Sequence, residues 1–474
     1  MYRFLIRSLV TLTILSYASF AARAQTQLPA DLTQKIDTVV ADALTRTGVP
    51  SASIAIVKDG QIAYVKAYGD AKLEPKTQAS SEMRYSIGSI SKQFTAACVL
   101  LLQEEGKLSI DDPIAKYFPE LTRAKEITIR NILSHTSGYE DYAPQDYTIP
   151  AWTRPTTADK VVHEWATKPL DFEPGSQYQY SNTNFNIAGL IVEKVSGEPF
   201  WSFLSRRVLK PLGMTQTIDL DSEHDKLEPV GYMRNALGPL RPAIMEAAGW
   251  YFADGEMAMP VGDLLIWDIS LMNRSLLSPA SYTAMETDQR LTTGQTARYG
   301  LGVSLSVRNG HRVVAHGGEV GGFVAQNVVF PDDKIAIAVL TNQEASAAAG
   351  GIARAISLLL LPSPDSGTAT AAETATAEAQ ARRILTGLQK GQIDRALFTA
   401  NCNFFFDQTS LDDHTRSLGP LGAVETVVQT SSSLRGGMTF RAFDVAFAKG
   451  PKLRLTTYTT RDGRLEQFLI APVD

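Results

Sequence analysis

Apolar residues recur at helical spacing from Leu32 to Leu44, and Gly48-Val49-Pro50 ends that run. Ser53–Lys58 and Gln61–Tyr68 then flank Asp59-Gly60, a dipeptide suited to the positive φ of a two-residue hairpin turn, so two antiparallel strands are predicted early. After a polar loop comes Tyr85–Gly106, YSIGSISKQFTAACVLLLQEEG. Helical spacing begins at Ser89 and runs through Ile90, Phe94, Ala97, Cys98 and Leu101, and Phe94–Leu102 is apolar almost all round. A helix with so little polar face belongs in a protein interior. Gly106 supplies its stop, and Thr128 is placed to cap a short helix through Ser134 that ends in His135-Thr136-Ser137-Gly138.

Residues 140–157 show no period and read as a long surface loop of the kind that rims binding sites. Glu173-Pro174-Gly175 is a turn, Tyr180-Ser181-Asn182 leads into an apolar helix over Asn184–Val195, and Phe200–Leu209 and Val261–Met272 are helical. Late strands are predicted over Tyr299–Val307 and Arg312–His316, on either side of Asn309-Gly310, and over Val324–Phe330 and Ile335–Leu340, with a helix over Ala349–Leu361 packed on the sheet. Residues 362–376 are low-complexity Pro, Ser, Thr and Ala and read as a linker. Beyond it, 377–474 reads as a small α+β domain with strands at Met438–Ala448, Lys452–Thr460 and Arg464–Ile470.

Composition changes this picture little. With 474 residues, 44% hydrophobic and 20% charged, the chain can build a sizeable core, and a net charge of −5 gives no reason to expect nucleic acid as a partner. The first 24 residues read as a signal peptide: Arg3 and Arg7, an apolar stretch over Leu9–Phe20, then Ala22-Arg23-Ala24. That implies export to the periplasm or beyond and no integral membrane anchor, because the apolar run is short for a span. Cys98 and Cys402 are the only cysteines, which excludes a disulfide scaffold, and neither has a neighbour at metal-ligand spacing. No metal or cofactor is expected.

The candidate chemistry lies at the mouth of the apolar helix. Ser89 and Lys92 are three residues apart, so one helical turn sets hydroxyl and amine on the same face. A chain of this length holds about two such pairs by chance, and the pair gains weight only from its setting. Burial at that mouth disfavours the ammonium, and a neutral Lys can take a proton from Ser.

Three blocks now stand in order: Ser89-Ile90-Ser91-Lys92, Tyr180-Ser181-Asn182 and His316-Gly317-Gly318, flanked by Asn131–Gly138, Pro174-Gly175, Pro211–Met214 and Tyr299–Gly302. Over about Leu32–Leu361 the chain resembles the β-lactamase-related serine hydrolases, in the branch of class C β-lactamases, penicillin-binding proteins, esterases and D-peptidases. The resemblance implies an α/β (α+β) fold: one domain over 25–361, an antiparallel sheet drawn from both ends of it, flanking helices and a helical insertion carrying the second motif. It implies Ser89 as the nucleophile of an acyl-enzyme, Lys92 as base, Tyr180 as proton shuttle and Asn182 as the amide that orients Lys92 and substrate. The backbone N–H groups of Ser89 and Glu319 would form the oxyanion hole, beside His316, Gly317 and Gly318.

The third motif departs from the Lys-Thr-Gly of β-lactamases. His316-Gly317-Gly318 offers a titratable imidazole and no hydroxyl, which weakens carboxylate recognition and shifts weight toward an esterase, or an amidase or peptidase acting on small ester, amide or peptide substrates. Three readings stay open: such a hydrolase, a β-lactamase or D-Ala-D-Ala carboxypeptidase, and a catalytically silent ligand-binding or scaffold protein. His316 would assist the proton relay if it lay near Tyr180. For the C-terminal domain a folded appendage stands beside a module that pairs subunits into a homo-oligomer or covers the active-site mouth.

Overall fold

The computed structural model describes residues 27–145, 147–236, 238–361, 371–435 and 438–472. The signal peptide and residues 362–370 of the linker lie outside the described residues. The chain divides into two compact units: one holds the chain up to Leu305 with Val314–Ala353, the other Ser306–Val313 with Arg354 onward.

The main sheet has seven strands: β1 (Ser51–Lys58), β2 (Gln61–Leu73), β3 (Lys76–Gln78), β4 (Ser304–Arg308), β5 (His311–Val320), β6 (Phe323–Phe330) and β7 (Ile335–Thr341). Their order across the sheet is β3-β2-β1-β7-β6-β5-β4. The N-terminal hairpin thus meets the C-terminal strands where β1 pairs antiparallel with β7, Ala52 facing Thr341 and Val57 facing Ala336. Both strands are buried along almost their whole length, and so they read as continuous small and aliphatic runs rather than alternating ones. The turn residues act as their types predict, with φ 53° at Asp59, 74° at Gly60, 52° at Asn309 and 84° at Gly310. There are three early strands and four late ones. The extra early strand is the three-residue β3, too short to leave a pattern, and the hairpin at Asn309-Gly310 supplies two of the late four.

The helices α1 (Ala30–Thr47), α2 (Ser91–Glu104), α3 (Ile129–Leu133), α4 (Asn182–Ser196), α5 (Val261–Asn273) and α6 (Ala348–Leu360) complete the part of the fold that matters for the site. Helix α1 packs on β1 and β2, and α5 packs on β1 and β7. Helix α2 is the interior helix: from Ser91 to Leu102 every residue is buried, and it packs against α4. Thr128 caps α3 as expected, its side chain accepting from Asn131 N while the Asn131 side chain accepts from Thr128 N. One buried polar tie joins helix to sheet: Asn327 Nδ2 on β6 donates to Asp268 Oδ1 on α5 at 2.8 Å. Burial pushes the Asp268 carboxyl up to about 8, so it is a neutral acid at physiological pH.

The second unit contains a four-stranded antiparallel meander, β8 (Val424–Arg435), β9 (Met438–Phe447), β10 (Leu453–Thr459) and β11 (Leu465–Pro472). Helices at Ala371–Leu388, Ala400–Phe405 and Gln408–Leu418 accompany it, and Leu385, Leu388, Phe406, Phe443, Leu455 and Phe468 sit in its core. Residues 371–376, read as linker, open a helix instead. Strand β8 is an addition to the three predicted there. Both cysteines are buried free thiols, with Cys402 pushed up to about 11 by burial.

Candidate active site

Ser89 lies in a short 3₁₀ turn, Gly88–Ile90, that feeds directly into α2. Lys92, one turn on, is fully buried. Its Nζ lies 2.9 Å from Ser89 Oγ, 2.7 Å from Asn182 Oδ1 and 2.8 Å from the Asp254 carbonyl oxygen. Asn182 and Asp254 offer pure acceptors at those atoms. A neutral amine has two N–H donors and one lone pair. Both donors are spent on the two acceptors, so the lone pair is left for Ser89, the one partner of the three with a proton to give. Desolvation lowers the Lys92 pKa from about 10.5 to about 8, opposed by the charges of Asp254 and Asp141.

Asn182 is held for this purpose by Asp141, which the sequence reading left inside an unpatterned loop. Asp141 Oδ1 accepts from Asn182 N at 2.9 Å and from Asn182 Nδ2 at 3.1 Å. With Nδ2 directed to a carboxylate, Oδ1 is the atom turned to Lys92. Asp254, also not singled out from sequence, is buried; its carboxylate accepts from Tyr142 Oη at 2.8 Å and burial raises its pKa to about 7.

Tyr180 places its ring 5.0 Å from Lys92 Nζ. Its hydroxyl is buried without a formed hydrogen bond, though Ser89 lies near enough to favour the phenolate, and burial raises the phenol well above its usual pKa. His135 stacks on Tyr180 at 4.3 Å between centroids. At the end of the short helix α3, His135 adopts φ 55°, and its Nδ1 accepts from Ser181 N at 3.1 Å, fixing the backbone of the second motif. Burial and the Lys92 charge keep it neutral.

His316 is also buried and neutral, its pKa lowered to about 4 by desolvation and then by Lys92. Nδ1 faces the Gly317 carbonyl at 2.5 Å and so carries the proton; Nε2, 2.8 Å from Tyr299 Oη, accepts from it. The ring centroids of His316 and Tyr180 are 6.2 Å apart. Both nitrogens are engaged elsewhere, so His316 is a neutral wall of the site rather than a link in a relay through Tyr180.

Backbone approach joins the first and third motifs. Gly88 adopts φ 48°, and a Cβ there would stand 2.8 Å from Glu319 N; a Cβ on Gly318 would stand 1.8 Å from Ile87 O and 3.0 Å from Ser89 N. These two glycines let the strand carrying Glu319 lie against the turn carrying Ser89, which brings the amides of both residues together as an oxyanion pair requires. All eight predicted site residues therefore converge. Seven of them, all but Lys92 beneath the floor, line one cavity of about 710 Å³, whose other walls include Tyr142, Trp152 and Trp250.

This cluster lies where the interior helix α2 starts, beside the edge of strand β5 in the main sheet. A family model described as Beta-lactamase matches residues 36–361, and the chain belongs to that family of serine hydrolases. Protein flp of Staphylococcus aureus (strain NCTC 8325 / PS 47) is 28% identical over 332 residues, covering 67% of this chain and 64% of that protein, so this chain spans less than two thirds of that relative's length. Among solved structures, a D-stereospecific amidohydrolase from Streptomyces sp. is similar at 25% identity and TM-score 0.58, covering 70% of this chain and 98% of that one. The octameric penicillin-binding protein homologue from Pyrococcus abyssi shares the fold at 23% identity and TM-score 0.61, over 92% of this chain and 99% of that one. D-amino acid amidase from Ochrobactrum anthropi SV3 does so at 24% and 0.61, over 70% and 98%. Among the described residues, no helix is long and apolar enough to cross a membrane and no cluster of His, Cys, Asp or Glu could hold a metal ion.

The Lys92 geometry carries a pH prediction. Below its pKa Lys92 is an ammonium with no lone pair for the Ser89 proton; above it the amine is free to act. We expect kcat/KM to rise about tenfold per pH unit up to about 8 and then level, with no step from His316 between pH 5 and 8. A pH–rate profile on a neutral ester checks this, and a profile flat from pH 6 to 9 would remove Lys92 from the role of base.

Proposed function

We propose that the chain is an exported serine hydrolase that acts through a Ser89 acyl-enzyme on ester or amide substrates, with D-amino acid amides and D-peptides in its range. The observation that carries this is the Lys92 Nζ with two acceptors and Ser89 Oγ as its third neighbour. Lys92 takes the Ser89 proton as Oγ attacks the substrate carbonyl, and the amides of Ser89 and Glu319 receive the oxyanion. The proton passes to the leaving group by way of the Tyr180 phenol as the ester or amide bond breaks. A water then attacks the acyl-enzyme, giving one proton to the same base; the Ser89 Oγ–acyl bond breaks, the base returns the proton to Oγ, and the acid leaves. The names of the D-stereospecific relatives support the amide range, and the N-terminal sequence pattern supports export.

The second reading, a β-lactamase or D-Ala-D-Ala carboxypeptidase, needs a fixed cation for the substrate carboxylate. The neutral His316 does not provide one. Mass spectrometry of the intact protein after treatment with a fluorophosphonate tests the proposal: one adduct per chain, mapped to Ser89, is expected. An unlabelled protein, or label on another residue, would overturn it, and rapid nitrocefin turnover would promote the second reading.

A further inference from the structure

The block Tyr299–Gly302 takes no part in the acyl transfer itself, yet it touches both the first motif and the third. Gly302 N donates to Leu133 O at 3.0 Å, Leu301 N donates to Met285 O at 3.0 Å, and a Cβ on Gly302 would stand 2.6 Å from Lys92 O. The turn is thereby seated against the backbone of α2 at Lys92. Tyr299 at its head is buried and is not among the residues that line the cavity. Its hydroxyl lies 2.8 Å from His316 Nε2, and its ring packs 4.9 Å from His135 and 5.6 Å from Tyr178 between centroids.

The protons around the imidazole fix its charge. Gly317 O can only accept, so His316 Nδ1, 2.5 Å away, carries a proton. In the neutral ring Nε2 is then a lone pair, and the Tyr299 hydroxyl is its donor. A second proton on Nε2 would turn that contact round: Oη would have to accept, and its own proton would be left buried without a partner. Among the described residues Tyr299 Oη has no other hydrogen bond. Burial also holds the phenol well above its usual pKa, so it keeps its proton. The other titratable groups around the ring are Lys92 on α2, Tyr180 and His135, and none of them supplies a negative charge that would favour an imidazolium.

That charge state matters because of what else faces the substrate. Among the described residues lining the cavity none is Lys or Arg, and Lys92 lies beneath the floor with its donors spent. His316 is the lining side chain that would have to become cationic for a substrate carboxylate to find a counter-charge. We propose that Tyr299 is a positioning residue that sets substrate charge: through its hydrogen bond to His316 it keeps the third-motif ring neutral, and so restricts the Ser89 site to acyl donors without a carboxylate at that wall. The inference rests on the Ser89 acyl-enzyme reading and assigns its substrate preference to one residue.

Tyr299→Phe tests it, because the change deletes the donor and keeps the ring. The probes are the p-nitrophenyl esters of hexanoic and adipic acid, which end in a methyl and a carboxylate. Both depend on Lys92, so its protonation cancels in their ratio. In the native protein the adipate-to-hexanoate ratio of kcat/KM is expected to stay level between about pH 5.5 and about pH 8, where the adipate carboxyl is ionised. In the variant it is expected to rise about tenfold as the pH falls over that range, because His316 can then take a second proton. A merely structural Tyr299 would slow both esters alike; a level ratio in the variant overturns the inference, and Ser89-dependent hydrolysis leaves the acyl-enzyme reading standing. Should the variant not fold, nitrogen-15 NMR of His316 in the native protein, assigned by its loss in His316→Gln, decides. An unprotonated, hydrogen-bonded Nε2 across the same range supports the inference, and an Nε2–H tautomer or a cationic ring overturns it. Hydrolysis of neither ester by the native protein would defeat the acyl-enzyme reading instead. The inference is then read from the same spectra: a ring that takes its second proton at higher pH in Tyr299→Phe than in the native protein supports it, and identical titrations overturn it.

Discussion

Ser89→Ala lowers kcat/KM for ester hydrolysis by about 10⁴-fold or more and abolishes covalent labelling, while the protein stays folded. The size of the loss follows from removing the atom that becomes covalently bonded to the acyl group; what remains of catalysis comes from the oxyanion donors and binding alone. The fold survives because Ser89 contributes one hydrogen bond to its surroundings, and Lys92 keeps its contacts with Asn182 and the Asp254 carbonyl when it goes. A structural role for Ser89 would instead show as a lowered Tm with a proportionate loss of active protein. Steady-state kinetics and a thermal melt on the same sample separate the two, and a variant retaining a tenth of the wild-type rate would dismiss Ser89 as nucleophile.

The parts legible in sequence are those in which one residue type answers one local demand. Asp59-Gly60 and Asn309-Gly310 mark turns because few residues tolerate positive φ, and Thr128 marks a helix start because its hydroxyl accepts an orphan N–H. The all-round apolarity of α2 gave its burial directly, and Ser89 with Lys92 needed only helical spacing to be placed together. What escaped depends on partners distant in the chain. Strand β8, VETVVQTSSSLR, carries serines and threonines on a partly exposed surface and leaves little periodic signal. The Ala- and Thr-rich stretch from residue 371 looks like linker composition, yet Ala is the best helix former, and the helix over Ala371–Leu388 uses it.

The same division runs through the site. Asp141 matters because it fixes which end of the Asn182 amide meets Lys92, and a loop without period gives no hint of that. Asp254 touches Lys92 through its main-chain carbonyl, a group every residue possesses, so no pattern of side chains could have pointed to it. His135 was visible as part of a block, but its ring nitrogen serves an amide 46 residues away. Ser89 and Lys92 were thus readable as a local pair, and the contacts around them were not, because those are properties of packing.

Gly318→Ala, which adds a single methyl group, is expected to cut kcat by about 10²- to 10³-fold, the loss typical of one oxyanion donor. The added Cβ would stand 1.8 Å from Ile87 O, 2.8 Å from Ile87 C and 3.0 Å from Ser89 N, all backbone atoms that no rotamer change can move aside. Strand β5 and the Gly88–Ile90 turn must then separate, and that parts the Ser89 and Glu319 amides. Substrate contacts elsewhere in the cavity persist, so the loss falls on kcat more than on KM. Gly317→Ala is the matched control. Its Cβ would lie 3.7 Å from Ala325 O and from Gln326 Oε1, ordinary contact, and kcat is expected to stay within a few-fold. Equal losses in the two variants would mean that any side chain in this segment harms the enzyme, and the close approach at Gly318 would lose its claim to build the oxyanion pair.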